Sequence, residues 1–490
     1  MTEEKDLNEV LCVKNLVKVV NGNEKSNSNP LETKVYKKRW LILALYILYT
    51  GMSNAQWIQY SIIANVVSRY YGVSSTTVDW TAMSFMAYYV IFIFPATYMV
   101  DRVGFRWTNI ICCGVTCLGS WVKVLSVSPD RFYVTFIGQS LVATTQTIIL
   151  TLPGRLAAQW FAGNELSTAT SLSIFGTQIG IALSFLLTPI IVKNHENLED
   201  IGAGLSHLFW IVAIIMTIAF ILVVILFEDD PKLPPSKTRA LQKLNQMEAE
   251  ESIVQPIKRL FKNKSFLLLC NSYGLGIGVL NVVGTLLNQI YLAHFEHGEQ
   301  DAGRIGLTIT MTGVIGSVSF GIILDKTHKY KQFYNFGRMY FQGNDCNCVF
   351  PLADWPDILF YVHVARNEMD GVSVGHFPRV LFFLVGYVAL GYEMCAEYTY
   401  PESEEKTAAI LNVANNVYGI VLILIMGRLL EVYGDIPVHV CLCVMILTGF
   451  IMTVLTKDVQ RRQDARKSVH YVGVKEQSEK SNECNGVEKN

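Results

Sequence analysis

The sequence predicts an all-α membrane protein built from two similar halves of six helices each. Of its 490 residues, 51% are hydrophobic and only 17% are charged, and the mean hydropathy is +0.32. A soluble chain carries about a quarter of its residues as charged side chains. Apolar runs of about 20 residues recur along the chain, long enough to cross the ~30 Å hydrocarbon core of a bilayer. Two short cassettes, one in each half, also look like copies of one another.

The apolar runs predict six spans, then a charged linker, then five more spans. In chain order they cover roughly 40–70, 79–100, 107–127, 131–150, 167–192 and 207–227, then 265–293, 303–324, 380–398, 405–430 and 435–456. We therefore divide the chain into an N-terminal tail 1–38, a first half 39–228, a linker 229–264, a second half 265–456 and a C-terminal tail 457–490. A plan of six plus six repeated helices leaves the ninth span missing.

The distribution of basic residues predicts which side of the membrane each end occupies. Lys37, Lys38 and Arg39 precede the first span, and both the linker and the C-terminal tail are rich in Lys and Arg. Cytoplasmic loops carry this excess, so both tails and the linker are expected in the cytoplasm. No cleavable signal peptide is visible, and the first span should direct insertion. Two cytoplasmic ends require an even number of spans, which eleven does not satisfy.

The missing span falls in the stretch 332–379. Its best apolar piece, 349–364, is short and contains two prolines and two aspartates. One interpretation is a cytoplasmic or re-entrant insertion that replaces a helix. The other is that this stretch is not native coding sequence, for example a retained intron. We favour the second, because a missing ninth span contradicts the charge of the C-terminal tail.

Composition also excludes several classes of function. The net charge is −1, and no basic stripe with interleaved aromatic residues indicates a nucleic-acid partner. Seven of the eleven cysteines lie in apolar runs, where they are expected to behave as small hydrophobic residues. Cys346 and Cys348 have metal-like spacing but no matching cluster, so no metal or cofactor is expected. No nucleophile and base are paired within the spans, which argues against an enzyme.

The twin cassettes place an aspartate and basic residues where an apolar helix ends. The first is DRVGFR, with Asp101, Arg102, Gly104 and Arg106; the second contains Asp325 and Lys326 after GIIL. Gly104 would permit the tight turn into the third span, and the two arginines would pair with carboxylates or helix C-termini as a conformational latch. The pair resembles the signature loops of the major facilitator superfamily.

Polar and aromatic side chains inside the spans indicate where a ligand would bind. Burying them in lipid is costly unless they face a cavity or one another. The candidates are Trp57 and Tyr60 in the first span, Gln146 in the fourth, Thr177 and Gln178 in the fifth, Asn281 in the seventh and Asn416 in the eleventh. Few full charges accompany them, which suits a ligand held by cation–π and polar contacts. The alternative for any one of them is a hydrogen bond that merely joins two helices.

Several longer motifs resemble the feline leukaemia virus subgroup C receptor family of the major facilitator superfamily. They are QWIQYSII (56–63), the DW pair at 79–80, FPATYMVDRVG (94–104), LPGRLAAQWF (152–161), NELSTA (164–169), TLLNQ (285–289), AGRIGLT (302–308) and GYEMCAEYTYPES (391–403). The resemblance covers roughly 39–331 and 381–462. It implies a facilitator of choline and ethanolamine, with haem export as an older assignment. Independently of the resemblance, we take the plasma membrane as the default location and expect a monomer.

The resemblance also assigns roles to particular residues. In the family, a helix-one Trp and a helix-seven Tyr cage the quaternary ammonium, helped by Gln residues of helices four and eleven. Trp57 and Gln146 match this pattern, and Met86 matches another cavity position. Three positions depart from it: Asn281 replaces the helix-seven Tyr, Asn416 the helix-eleven Gln, and Thr177 a helix-five Asn. Half of the aromatic cage is therefore absent, and a smaller amine becomes more plausible.

Two alternatives remain open at this stage. Haem export would need axial ligands, for which His207, His294 and His297 are candidates near the outer face. A non-transporting membrane receptor or an inactive isoform is favoured if the disrupted ninth span is genuine.

Overall fold

The computed structural model describes residues 35–162, 165–228, 231, 233, 235, 259–295, 297–327, 391–392, 394–395, 398–399 and 404–455. Within these ranges the chain is helical and contains no strand. The helices are α1 Lys38–Ile58, α2 Ala64–Tyr71, α3 Ser75–Val103, α4 Phe105–Val124, α5 Phe132–Ile149, α6 Pro153–Trp160, α7 Leu166–Ile191, α8 Leu198–Leu226, α9 Lys264–Leu292, α10 Glu299–Thr327, α11 Glu404–Tyr433 and α12 Asp435–Leu455.

These helices reproduce the predicted spans wherever the chain is described. α1 and α2 together form the first span; α3, α4, α5, α7 and α8 are the second to sixth, α9 and α10 the seventh and eighth, and α11 and α12 the last two. Among the described residues, six helices are long and apolar enough to cross a membrane, or seven if the bent pair α5 and α6 counts as one. The stretch 332–379, and with it the question of the ninth span, lies outside the described residues.

The first span is interrupted near its middle. α1 ends at Ile58, a turn of the 3₁₀ type follows at Ser61–Ile63, and the helix resumes at Ala64. It ends at Gly72, whose φ of 65° is the left-handed conformation that favours glycine after a helix. The interruption falls directly after Trp57, so the candidate binding residue occupies the last turn of α1.

Charged contacts cluster at the end of the bundle where α1 begins, here called the near end. Lys38 Nζ lies 2.5 Å from Glu228 Oε1, and Arg39 Nη2 lies 2.9 Å from Glu165 Oε1. The opposite end, at which α2 ends and α3 begins, is called the far end. Because consecutive spans alternate in direction, α9 ends and α10 begins at the far end as well.

Small residues allow the first and fifth spans to approach closely. A Cβ atom built on Gly180 would overlap the backbone of Gly51, and one on Gly176 would overlap the side chain of Ile47. The glycine pair of the GTQIG motif therefore packs against α1, as its small-xxx-small spacing predicts. The cysteines of the apolar runs are free, and five of the seven are buried, which agrees with their expected role as small hydrophobic residues.

Gly104 forms the sharp connection between α3 and α4. Its φ of 85° lies in the region that non-glycine residues rarely adopt, which confirms the predicted tight turn. We expect Gly104→Ala to cost about 1–2 kcal/mol of stability. The melting temperature of the detergent-solubilised protein should therefore fall. Gly154→Ala is the matched control, because Gly154 is helical and has open space around it. Equal melting temperatures for the two variants would contradict this interpretation.

Candidate functional site

The two halves meet in the middle of the bundle where α3 passes α11. A Cβ atom built on Gly419 would lie 2.8 Å from Met86 Sδ and 3.0 Å from Asn281 Nδ2. Gly419 of α11 therefore lies close to both the second span and the seventh span. The region around Met86, Asn281 and Gly419 is called the central cleft below. It brings together two of the predicted binding residues, Met86 and Asn281.

Trp57 lies on the first-half side of the central cleft. Its half-buried ring packs against the apolar cluster that contains Met86 and Val282, and also against Phe85 and Val142. Its indole Nε1 is buried and makes no hydrogen bond with the described residues. Buried indole N–H groups usually find a partner. The ring is therefore held by apolar contacts, and its donor is free for a ligand or water.

The second-half side of the cleft is lined by amides. Asn281 Nδ2 donates to Asn415 Oδ1 at 3.3 Å. Asn416 Nδ2 donates to the Asn412 carbonyl at 2.7 Å, and Asn412 Oδ1 accepts from the Tyr392 hydroxyl at 2.8 Å. Asn416 is thus tied to its own helix, one turn back. Asn281 is the predicted residue that projects between the helices.

Gln146 forms a network with the first span. Ser53 Oγ donates to its Oε1 at 2.8 Å, and its Nε2 donates to Asn54 Oδ1 at 2.7 Å. Both polar ends of this side chain are engaged, which is the helix-joining alternative that the sequence left open. Its predicted role in binding stays a prediction, and it requires one of these hydrogen bonds to exchange for a ligand.

Three further predicted residues lie away from the central cleft contacts. Tyr60 is fully buried inside the first half, where its ring packs against Phe209 of the sixth span. Thr177 is buried, and its hydroxyl donates to the carbonyl of Ile174 in its own helix at 2.6 Å. Gln178 is partly buried on the fifth span. This geometry gives no support to ligand binding by Tyr60.

The predicted latch residues are described in part. The Arg102 guanidinium lies over the Tyr98 ring, 5.5 Å from its centroid, at the near end of α3. Arg106 is partly buried at the start of α4. The side chains of Asp101, Asp325 and Lys326 lie outside the described residues, so the latch stays a prediction.

A polar network joins the halves at the far end. Glu299 Oε1 accepts from Asn65 Nδ2 at 2.7 Å and from Asn194 Nδ2 at 2.9 Å. Asn288 Nδ2 donates to the Ile62 carbonyl at 2.8 Å. These contacts link the first, seventh and eighth spans and the loop that follows the fifth.

The network continues along the second span. Gln289 Nε2 donates to Asp79 Oδ1 at 2.9 Å, and Thr76 Oγ1 donates to Glu431 Oε1 at 3.2 Å. Sequence reasoning gave no role to the residues of this network. The signal was available, since Asp79 belongs to the DW pair and Gln289 to the TLLNQ motif, and both lie near span ends.

Comparison with known proteins now identifies the family. The family model of the Major Facilitator Superfamily matches residues 45–338. The choline/ethanolamine transporter flvcr2a of Danio rerio is 37% identical over 447 residues, covering 90% of this chain and 91% of that protein. This chain is a member of the FLVCR family.

Other members show the same extent of similarity. The choline/ethanolamine transporter FLVCR2 of Homo sapiens is 36% identical over 92% of this chain and 83% of its own length. FLVCR1 of Felis catus, also named a choline/ethanolamine transporter, is 38% identical over 88% of this chain and 75% of its own. The family resemblance inferred from the motifs is confirmed, and with it the multi-pass membrane architecture.

Solved structures confirm the fold of the family. A bacterial homologue of the human lysosomal transporter Spinster, inward-facing and unoccupied, matches with a TM-score of 0.61 at 12% identity, covering 86% of this chain and 96% of that one. The E. coli fucose:proton symporter FucP matches with a TM-score of 0.57 at 11% identity over 86% of this chain and all of that one. The predicted all-α major facilitator fold is therefore correct.

Proposed function

We propose that this chain is a facilitative transporter of small amines of the choline and ethanolamine type, which it moves by alternating access. The observation that carries the proposal is the indole of Trp57 at the central cleft, between the two halves that must move. An aromatic face attracts a quaternary ammonium, and a desolvated cation–π contact contributes about 2 kcal/mol. The naming of the FLVCR relatives as choline/ethanolamine transporters supports the same substrate class.

The amides that line the cleft suit a primary ammonium better than an aromatic cage for a quaternary ammonium would. Asn281 and Asn415 provide carbonyl oxygens that accept hydrogen bonds, and ethanolamine offers three N–H donors where choline offers none. We therefore infer that the chain transports ethanolamine at least as well as choline. Charged hydrogen bonds of this kind contribute about 1.5–3 kcal/mol each.

Several further features belong to the same proposal. We place both termini in the cytoplasm, because Lys38 and Arg39 lie at the near end with Arg102 and Arg155. We take the plasma membrane as the default location of the protein. The far end then faces outward. We also expect the protein to act as a monomer in the lipid bilayer.

No observation favours haem export. His294 Nε2 lies 2.7 Å from Asp435 Oδ2, and His297 occupies a turn with a φ of 62°. Across the described ranges, no group of three His, Cys, Asp or Glu residues is placed to hold a metal ion. Haem therefore stays an alternative that the test below includes.

The test is uptake by proteoliposomes containing the purified chain. Labelled choline, ethanolamine and a haem analogue are each offered, with empty liposomes as the background. We expect uptake of both amines to approach equal concentrations inside and outside at zero membrane potential. Preloading with unlabelled amine should accelerate entry of the label. No amine uptake above background, with correctly inserted protein, would overturn the proposal.

Position 281 tests the selectivity. Asn281→Tyr adds a ring and removes the Asn281–Asn415 hydrogen bond, so the ratio of choline to ethanolamine uptake should rise roughly tenfold. Asn281→Leu is the matched control, because it removes the same hydrogen bond without adding a ring. An equal rise in both variants would show that loss of the amide, and not gain of the ring, sets the ratio.

A further inference from the structure

A buried lysine in the first half has no role in the transport mechanism described so far. Lys123 lies in the last turn of α4 and is 1% exposed. Its Nζ donates to Gln56 Oε1 at 2.9 Å and lies 5.6 Å from the centroid of the Tyr60 ring. Removing an ammonium from water costs several kcal/mol, so such residues inside membrane proteins are rarely incidental.

The packing around Lys123 is built to admit it. The third and fourth spans cross at Gly119 and Gly138. A Cβ atom built on Gly138 would lie 2.7 Å from Lys123 Cγ and 2.7 Å from the Gly119 carbonyl oxygen. The stem of the lysine therefore occupies space that any larger residue at position 138 would fill.

The partner of Lys123, Gln56, is held from three directions. Its side-chain Oε1 accepts from Lys123 Nζ and from Ser120 Oγ, the latter at 3.2 Å. Its backbone carbonyl accepts from Gln139 Nε2 at 2.7 Å. α1 ends at Ile58, and the last four carbonyls of a helix lack partners within it. Gln139 of the fourth span thus satisfies one carbonyl at the end of the helix, while Lys123 and Ser120 of the third span hold the Gln56 side chain.

Trp57 is the next residue along the chain. Successive helical residues point about 100° apart, so Gln56 faces the third and fourth spans while Trp57 faces the central cleft. The regular helix ends one residue later, so the contacts of its last turn set the direction in which Trp57 points. The hydrogen bonds of the Gln56 side chain are the contacts immediately next to Trp57.

We propose that Lys123 is a positioning residue that acts through Gln56 to hold the Trp57 indole against the central cleft. The Lys123 side chain supplies a buried hydrogen-bond donor to Gln56 Oε1, and without it that oxygen would keep only the longer contact with Ser120 Oγ. The effect of Lys123 on amine binding rests on the proposed function, because it requires that Trp57 contact the amine.

The first experiment measures transport kinetics in proteoliposomes. Lys123→Met keeps the volume of the side chain and removes its donor. We expect KM for choline to rise roughly tenfold, with kcat changed by less than about twofold. Thr116→Val is the matched control. It removes a buried 2.8 Å hydrogen bond between the hydroxyls of Thr116 and Thr145, which joins the same two spans without touching Gln56. An unchanged KM for Lys123→Met, or an equal rise for Thr116→Val, would overturn the inference.

A double variant separates positioning from general stability. If Lys123 acts through Gln56, Lys123→Met and Gln56→Leu together should raise KM no more than the larger single change does. Additive effects would contradict the proposal. The double variant also replaces a buried polar pair by an apolar pair, which membrane proteins tolerate better than one orphaned partner. It therefore serves as the test should Lys123→Met alone not fold, and a wild-type KM in it would overturn the proposal.

The last measurement needs no substrate and is independent of the proposed function. A cysteine is introduced by Trp57→Cys, and its labelling rate by a methanethiosulfonate reagent is compared with and without Lys123→Met. We expect the rate to change by about fivefold or more, because Lys123 no longer holds the Gln56 side chain next to position 57. An unchanged rate would overturn the positioning role even if amine transport is confirmed. Absent amine transport by the wild type would instead overturn the proposed function alone.

Discussion

Trp57→Ala should abolish most amine transport while leaving the protein folded and correctly inserted. The substitution removes a cation–π contact of about 2 kcal/mol and part of the apolar surface that excludes water from the cleft, which predicts a roughly 30- to 150-fold loss in kcat/KM. The ring is half-buried and its Nε1 makes no hydrogen bond to the described residues, so its removal leaves no unsatisfied protein group. Initial rates of labelled choline and ethanolamine uptake measure the effect.

Trp107→Ala is the matched control for this prediction. Trp107 is 59% exposed on the third span, so the same atoms are removed from a surface outside the cleft. We expect uptake by this variant to stay close to that of the wild type. Similar losses of uptake in the two variants would mean that Trp57 contributes to the stability of the fold and does not contact the amine. Trp57→Phe should retain intermediate activity, because a smaller ring keeps part of the cation–π attraction.

Gly180→Ala should prevent the protein from reaching the membrane in folded form. The added Cβ would overlap main-chain atoms of Gly51, which cannot move aside as a flexible side chain can. Forcing the first and fifth spans apart costs about 3 kcal/mol, a large fraction of the stability of a typical protein. It would also displace the helix that carries Trp57. Surface expression and the monodisperse peak of the solubilised protein in size-exclusion chromatography measure the outcome.

The same substitution at another transmembrane glycine provides the control. Gly284 lies within α9, and a Cβ built there meets no atom within 4 Å. Gly284→Ala should express at least as well as the wild type, because alanine favours a helix by about 1 kcal/mol over glycine. Normal expression of Gly180→Ala would show that the two spans separate at little cost.

The fold was predictable because the apolar runs that form the spans are long and recur along the sequence. Apolar runs of about 20 residues marked every described span, and the cassette at 101–106 located the turn at Gly104. The interruption of the first span after Ile58 was not predicted. The residues there, QYSII, contain no glycine or proline that would mark a break. In the structure, contacts of Gln56 and Asn288 with other spans accompany the interruption.

The site was predictable only in part, because a polar residue in a span can either face a ligand cavity or form a hydrogen bond that joins two helices. Trp57, Met86 and Asn281 reach the central cleft, whereas Gln146 and Tyr60 are engaged within the first half. Both outcomes satisfy the cost of burying a polar group, and only the relative placement of the helices distinguishes them. The family resemblance singled out Trp57 as a binding residue, and the structure places its ring at the central cleft; its binding role stays a prediction.

The far-end network sets how easily the two halves can separate. Glu299 and Asp79 meet Asn65, Asn194 and Gln289, which are neutral amides. Water can replace an amide donor to a carboxylate, so each such bond contributes a net free energy of only about 1 kcal/mol or slightly more. Together these hydrogen bonds stabilise the closed far end by a few kcal/mol, which is comparable with the free energy of binding one small amine. A facilitative carrier needs two conformations of nearly equal free energy. Because water can replace the hydrogen bonds of the far-end network, the closed conformation is not stabilised so strongly that the carrier remains in it.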